Sequence, residues 1–510
     1  MNRRNGILYG IDDKPPFGRA LILAIQHALT MFGSTVAVPL LLGPAMGMDA
    51  AQTALLISSV MLCSGLATLI QSTFGARLPI IQGVSFSFLA AFFAIIATGK
   101  LASNNWDAAT MMQYIAGTIM VGAVVEMLVG FSGLMGRLRR MLSPVVVGPV
   151  IMLIGLALFK HGAPKAGTHW PISGLTMLLV IVCSLGLSRR WRFFKIFPIL
   201  SAICVSCGVC WLLSATGVFG EGHPSHVNLD YVRQSRWLRI NPSEVVFPWG
   251  LPKFEVGFVI AGLAAYLASM IESFGDYHAC SHMAGAGDPT PKQISRGIGC
   301  EGIGCFLTGV FGGFSSTSYS ENIGLVGLTR VGSRHVVQIA AVLLVFLGLF
   351  AKFGAFAATI PGPVVGGLYC VLFGLISAVG VQQLSKADLS SERNLFIAGF
   401  SLFMGLSVPA YFEGGGTYSP GWSSLSESMM QWIEGFLSKF SFVRRPDEWA
   451  LSVKSIIESI GVTGMGIAAI VGILLDNLIP GSADERGLQI PSLIAPEGAD
   501  AVEGGPPGRR

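Results

Sequence analysis

Charge is what this sequence has least of. Only 12% of its 510 residues are Asp, Glu, Lys or Arg, about half of the roughly 25% found in soluble domains. A chain so poor in solvated side chains cannot cover a water-facing surface, which excludes a soluble globular protein. The net charge of +5 is not a nucleic-acid signal, because the basic residues sit in short gaps between apolar runs. A disulfide framework is also missing. The nine cysteines lie mostly inside apolar runs. Cys204, Cys207 and Cys210 have the spacing of an iron–sulfur ligand set, yet no fourth ligand or polar surroundings accompany them, and they read as packing thiols. His278 and His282 are spaced for a metal, but no second cluster joins them; they read as part of a solvated loop after an apolar span. No resident metal or cofactor is therefore expected, and no enzyme, since no nucleophile–base pair appears. The opening "MNRRNGILYGIDDKPPFGRA" is polar and is followed by a run long enough to span, so it does not read as a cleavable leader.

Apolar runs, by contrast, are abundant. Residues classed as hydrophobic make up 52% of the chain and mean hydropathy is +0.65. Runs of about 20 residues, the length that crosses about 30 Å of hydrocarbon, recur throughout. Spans are expected near 19–42, 51–71, 80–98, 113–131, 143–160, 172–188, 196–218, 254–274, 297–313, 317–329, 335–353, 361–380, 394–412 and 457–475. The expectation is an all-α polytopic integral membrane protein of fourteen spans. The clusters "GRLRR" (136–140), "SRRWRFFK" (188–195) and "TRVGSRH" (329–335) then share one side, which the positive-inside rule makes cytoplasmic, with both termini. Fourteen spans divide into two sevens, and an odd number per half requires repeats of inverted topology, a frequent construction of secondary transporters. The loop segment "LSESMMQWIEGFLSKF" reads either as an interfacial amphipathic helix or as an ordinary loop helix. The Gly/Pro-rich end, "PEGADAVEGGPPGRR", reads as disordered.

Two segments break the helical pattern at matching places in the halves. "LPIIQGVSFSFLAAFF" in span 3 and "SSTSYSENIGLVGLTR" in span 10 each begin with small and aromatic residues in alternation, which favours extended chain. Extended backbone at membrane depth needs internal partners, and these two segments are able to supply them to each other as short antiparallel strands, each leading into a half-helix. Ionisable residues at that depth are functional candidates because each costs about 2.5–3.5 kcal/mol or more. Glu272 and Asp276, at i and i+4, share a face of span 8. Glu301 opens span 9, and Glu321 sits at the break in span 10. Gln26 and His27 lie in span 1, Gln82 in span 3 and Glu126 in span 4. Plain structural readings stand beside these. Glu126 reads as an interhelical hydrogen-bond partner and His27 as a packing histidine. Asp276 is either solvated near a span end or part of a site, and Glu301 is either a helix cap or part of a proton path. For Glu272 and Glu321 the functional reading prevails.

"ENIGLVGLTR" (321–330) resembles the signature of the nucleobase–ascorbate transporter family: Gln, Glu or Pro, then Asn-x-Gly, four variable residues, Thr and a basic residue, here Thr329 and Arg330. "QH" at 26–27, "QGVSFSF" at 82–88, "ESFGD" at 272–276, "EG" at 301–302 and "LDNLIPG" at 475–481 extend the resemblance over about residues 8–488. It implies a core domain of spans 1–4 and 8–11 (19–131 and 254–353) and a gate domain of spans 5–7 and 12–14 (143–218 and 361–475). A cytoplasmic N-terminus (1–18) and tail (476–510) flank them. It also implies a homodimer whose core moves against the gate as an elevator. Glu272 and Glu321 resemble the family's substrate-binding residues, with Asn322 as a supporting amide. Phe86 and Ser320 resemble the positions whose backbone N–H groups meet the base. Asp276 stands where members carry a proton-linked His or an Asp, and Glu301 where several have Asp.

The chemistry is compatible. A nucleobase alternates ring N–H donors with carbonyl acceptors; carboxylates accept from the first, and amides at half-helix starts donate to the second. Phe86 or Tyr319 offers a stacking face. Glu at the first signature position favours a nucleobase, uracil or a xanthine-type purine, because members for ascorbate tend to carry Pro there. "TRVGSR" and "SSERNLFIAGFSLFMGLSVPAYF" instead resemble the ascorbate-like and plant-like branch. Proton symport of a nucleobase is thus the first reading and sodium-coupled ascorbate transport the second. An anion channel or exchanger of the same architecture is a third, disfavoured because two carboxylates would repel the anion.

Overall fold

The computed structural model describes residues 7–100, 104–135, 143–413 and 464–488, with isolated positions between 428 and 461. The clusters at 136–140 and 496–510, and most of 425–440, lie outside the described residues. Helix α1 is Phe17–Ala45, α2 Ala50–Thr73, α3 Leu89–Gly99 and α4 Ala108–Ser132. They are followed by α5 Pro144–Ala157, α6 Phe159–Gly167, α7 Trp170–Ile181 and α8 Pro198–Ala215. The second half contributes α9 Val256–Met283, α10 Pro291–Val310, α11 Ser320–Thr329 and α12 Arg334–Leu349, then α13 Gly362–Leu384, α14 Glu392–Glu413 and α15 Gly464–Leu478. Among the described residues nine helical stretches are long and apolar enough to cross a membrane, and Phe86–Gly99, α12 and α15 are shorter apolar helices.

Local sequence sets the helix starts. Asp49 and Gln52 form a reciprocal capping box at α2, and Thr290 and Gln293 form another at α10, each satisfying two N–H groups that a helix start leaves open. The α10 box begins the helix well before the apolar run. Glu301 is therefore mid-helix and buried, and the expectation that it opens or caps this span is corrected. Likewise α9 continues through His278 and His282, which do not lie in a following loop.

The two extended segments do pair. Strand β1 (Gln82–Val84) runs antiparallel to β2 (Ser316–Ser318), with Gln82 opposite Ser318, Gly83 opposite Thr317 and Val84 opposite Ser316. Both are fully buried, so each backbone at this depth finds its partners in the other. A single turn of 3-10 helix, Phe86–Phe88, joins β1 to α3, and α11 begins two residues after β2.

Around this pair α4 packs on α10, α2 on α12 and α10, α1 on α12 and α9 on α4. The α4–α10 seam is close: a Cβ on Gly302 would lie 2.8 Å from the Met127 nitrogen, and one on Gly130 2.2 Å from the Gly299 nitrogen. Only glycine admits that approach. A second group forms where α13 packs on α5, α6 and α7, and α15 on α14 and α5. Two hydrogen bonds link the groups at α1. Pro44 has no N–H for the Leu40 carbonyl four residues earlier, and Lys165 Nζ donates to that carbonyl at 3.1 Å. Tyr369 Oη donates to the Ala37 carbonyl at 2.8 Å.

Candidate functional site

A cavity of about 230 Å³ opens where the strand pair gives way to its two helices. It has room for one small solute. One side is polar: Ser34, Ser85, Phe86, Ser87, Glu272 and the run Thr317–Glu321. The facing side is apolar, built from Ile151 and Ile154 of α5 and Leu372, Leu375, Ile376 and Val379 of α13.

Four of the expected substrate contacts, Phe86, Glu272, Ser320 and Glu321, line this cavity. Glu321 is at the second position of α11, where its carboxylate complements the helix's positive end. Its two oxygens share one donor, Ser34 Oγ, at 2.8 Å each. A hydroxyl has a single proton, so most of the carboxylate's accepting capacity remains open. The Glu272 carboxylate has no hydrogen bond to the protein among the described residues. The amides of Phe86, Ser320 and Glu321 likewise have no acceptor among those residues, being the first donors of their helices. One wall thus carries both open acceptors and open donors. Tyr319, on the same wall, is fixed: its hydroxyl donates to the Val84 carbonyl at 3.0 Å and accepts from Thr35 Oγ1 at 3.2 Å. Its ring, not its hydroxyl, is what it can offer.

Behind β2 lies a chain of hydroxyls ending on carboxylates. Ser318 Oγ and Ser320 Oγ donate to the two oxygens of Asp276, each at 2.8 Å. Asp276 is 8% exposed, which rules out a solvated residue at a span end. Ser273 Oγ donates to Glu301 Oε1 and Tyr277 Oη to Glu301 Oε2, both at 2.6 Å. Gln71 Nε2 donates to Tyr277 Oη at 2.6 Å. Gln82 is tied by its backbone to Thr68 at 2.8 Å, and its side chain reaches Glu301 only at 3.5 Å. Asn322 Nδ2 contacts His27 at the backbone oxygen (3.0 Å) and at Nδ1 (3.1 Å). This pair joins α11 to α1 away from the cavity, in keeping with a packing role for His27.

Other expected residues do not reach the site. The Gln26 carbonyl accepts from Thr30, and its buried side-chain Oε1 has no partner among the described residues. Thr329 Oγ1 donates back to the Leu325 carbonyl, and Arg330 ends α11 in the left-handed conformation with φ 58°. Its carbonyl accepts from the Leu8 amide, within a parallel bridge between Tyr9 and Val331. His278 Nδ1 contacts the Phe274 carbonyl and His282 Nε2 contacts Asp288, so the pair does not converge on one point. Glu126 is fully buried; the Cys305 thiol of α10 is the polar group within its reach, and among the described residues neither carboxylate oxygen has a partner in hydrogen-bond geometry. Ser34, Ser273, Tyr277 and Gln71 were not singled out from sequence. Ser34 is seven residues, or two turns, beyond His27 on the same face, and Ser273 lies inside "ESFGD".

No Lys, Arg or His forms an ion pair with Glu126, Glu272, Asp276, Glu301 or Glu321 among the described residues. A buried site of hydroxyls and unpaired carboxylates within apolar helices defines a membrane permease for a small polar solute. The family model described as the permease family, that of the xanthine and uracil permeases, matches residues 18–414. Solute carrier family 23 member 2 of Mus musculus is 35% identical, over 98% of this chain and 79% of its own. Solute carrier family 23 member 1 of Rattus norvegicus is 36% identical over 94% and 82%. Nucleobase-ascorbate transporter 2 of Arabidopsis thaliana is 37% identical, over 81% of each chain. The chain belongs to the nucleobase–ascorbate transporter family and is an integral membrane transporter. The solved structure of SLC26A9 has the same fold at a TM-score of 0.52 and 12% identity, over 76% of this chain and 62% of that one. The transmembrane domain of the cyanobacterium bicarbonate transporter BicA matches at 0.49 and 17%, over 90% and 100%.

Proposed function

We propose that this transporter imports a nucleobase, uracil or a xanthine-type purine, by proton symport. The carrying observation is the polar wall of the cavity. Glu272 and Glu321 present acceptor oxygens, and the open amides of Phe86, Ser320 and Glu321 present donors. A planar ring that alternates N–H and C=O satisfies both at once. An analogue lacking one N–H leaves a buried carboxylate without its partner, which costs about 1–3 kcal/mol or more and supplies the selectivity. The apolar wall from α5 and α13 covers the other face of the ring.

On this reading the chain crosses the membrane fourteen times in two inverted repeats, with both termini cytoplasmic. α1–α4 and α9–α12 form the moving core, and α5–α8 and α13–α15 the gate of a homodimer. The core's displacement against the gate carries the cavity across the bilayer. Sodium-coupled ascorbate transport is the second reading, favoured by the relatives named nucleobase-ascorbate transporters. Binding of uracil, xanthine and ascorbate to purified wild type, Glu272→Gln and Glu321→Gln separates the two. A nucleobase should bind to wild type and weaken at least tenfold in each variant. Ascorbate binding that both variants retain would overturn the nucleobase reading.

A further inference from the structure

We propose that Glu126 and Glu301 form a site for one monovalent cation, a proton or Na⁺, on the far side of the strand pair from the cavity. Glu126 of α4 is 0% exposed and Glu301 of α10 1%, and the two helices that carry them are in glycine-mediated contact. Among the described residues neither oxygen of Glu126 has a partner in hydrogen-bond geometry. The polar groups around it are Glu301 and Cys305 from α10 and Tyr266 and Tyr277 from α9.

Each possible proton donor there has another acceptor in hydrogen-bond geometry, although the Cys305 thiol also lies within reach of Glu126. The Cys305 thiol donates to the Ser316 carbonyl at 3.2 Å. Tyr266 Oη donates to the Ile119 carbonyl at 2.9 Å, and Tyr277 Oη to Glu301. No cationic side chain pairs with either carboxylate among the described residues. Two buried carboxylates without a countercharge cost several kcal/mol each, so the pair takes up positive charge. Two further buried oxygens lack partners, Gln82 Oε1 and Ser269 Oγ. Gln82 extends its other terminal atom toward Glu301, and Ser269 is one turn before Ser273 on α9. Carboxylate and amide oxygens are the kind of donors a hard cation takes, and a proton on one carboxyl meets the same electrostatic need. Occupancy is felt at the cavity through Glu301, Ser273 and Thr317, the last two in contact at 3.0 Å on the way to β2.

The inference deepens the symport reading, and its test uses no substrate, so the two fail separately. The measurement is infrared difference spectroscopy of the full-length protein in bilayers, stepping pH without Na⁺, then exchanging N-methylglucamine for Na⁺ at fixed pH. A proton site gives a protonated-carboxyl C=O band that disappears as pH rises and ignores Na⁺; a sodium site gives one that Na⁺ removes. Glu126→Gln should lose that component, and Glu126→Asp should keep it at a shifted frequency, which preserves the test if the amide variant does not fold. A Glu126→Gln difference spectrum identical to wild type in both arms, or an unshifted band in Glu126→Asp, would overturn the site. A Glu126 band insensitive to pH and Na⁺ would do so too, marking a permanently neutral residue.

Discussion

Replacing Gly83 by alanine tests the architecture of the site at its tightest point. A Cβ there would lie 2.4 Å from Tyr319 Cζ, 2.6 Å from Cε2 and 2.8 Å from the hydroxyl. Ordinary contact needs about 3.5–4.0 Å between carbons, so the ring must retreat by more than about 1 Å. That movement breaks the bonds of the Tyr319 hydroxyl to Val84 and Thr35. Overpacking costs about 1–3 kcal/mol and each lost hydrogen bond about 0.5–1.5 kcal/mol, together about 2–6 kcal/mol. Gly83→Ala should therefore lower the apparent Tm in nanodiscs by several degrees and abolish or strongly weaken substrate binding. Leucine at 319 lacks the distal ring atoms, so Gly83→Ala should cost little in a Tyr319→Leu background, and the coupling between the two sites should approach the whole of that cost. A Gly83→Ala protein as stable as wild type, or a double variant whose losses simply add, would refute the packing described for this site.

Asp476 is buried and accepts from both Arg393 at 2.9 Å and Arg486 at 2.7 Å; Asp476→Ala removes the carboxylate the two arginines share and should cost about 3–5 kcal/mol, read as reduced Tm and yield. Arg330 occupies a left-handed cap, where a side chain costs about 1–2 kcal/mol relative to glycine. Arg330→Gly should hold or raise Tm and retain substrate binding, whereas loss of binding would assign its charge a role that its position, remote from the cavity, does not provide. Lys165→Met removes a charged hydrogen bond worth about 1.5–3 kcal/mol between α6 and α1. It should speed labelling of Leu41→Cys by an impermeant thiol reagent, and unchanged labelling would mean that this contact does not hold the two helix groups together.

The strand pair was legible because small and aromatic residues alternate in two apolar segments that otherwise read as helix. Side chains repeat every two residues along a strand and every 3.6 along a helix, so the alternation marks extended chain. The carboxylates were legible for a related reason, as each stands alone against apolar neighbours. Helix limits were less so. Hydropathy marks where a helix is apolar, not where it begins, and α10 starts at a Thr-Pro-Lys-Gln box six residues before its apolar run. That signal was in the sequence, and reading it would have placed Glu301 mid-helix. The hydroxyls joining the carboxylates are harder to find: Ser34 and Ser273 are ordinary in an apolar helix until folding brings Glu321 and Glu301 against them. Nor does any local pattern reveal the surroundings of Glu126, because they depend on where folding sends the protons of Cys305, Tyr266 and Tyr277.

Uptake into proteoliposomes under an inward proton gradient or an inward Na⁺ gradient decides between nucleobase and ascorbate transport. Labelled uracil, xanthine and ascorbate are compared in wild type and Glu321→Gln. The account expects proton-driven accumulation of uracil or xanthine that falls at least tenfold in Glu321→Gln. Ascorbate accumulation that requires Na⁺ and survives the substitution would contradict it.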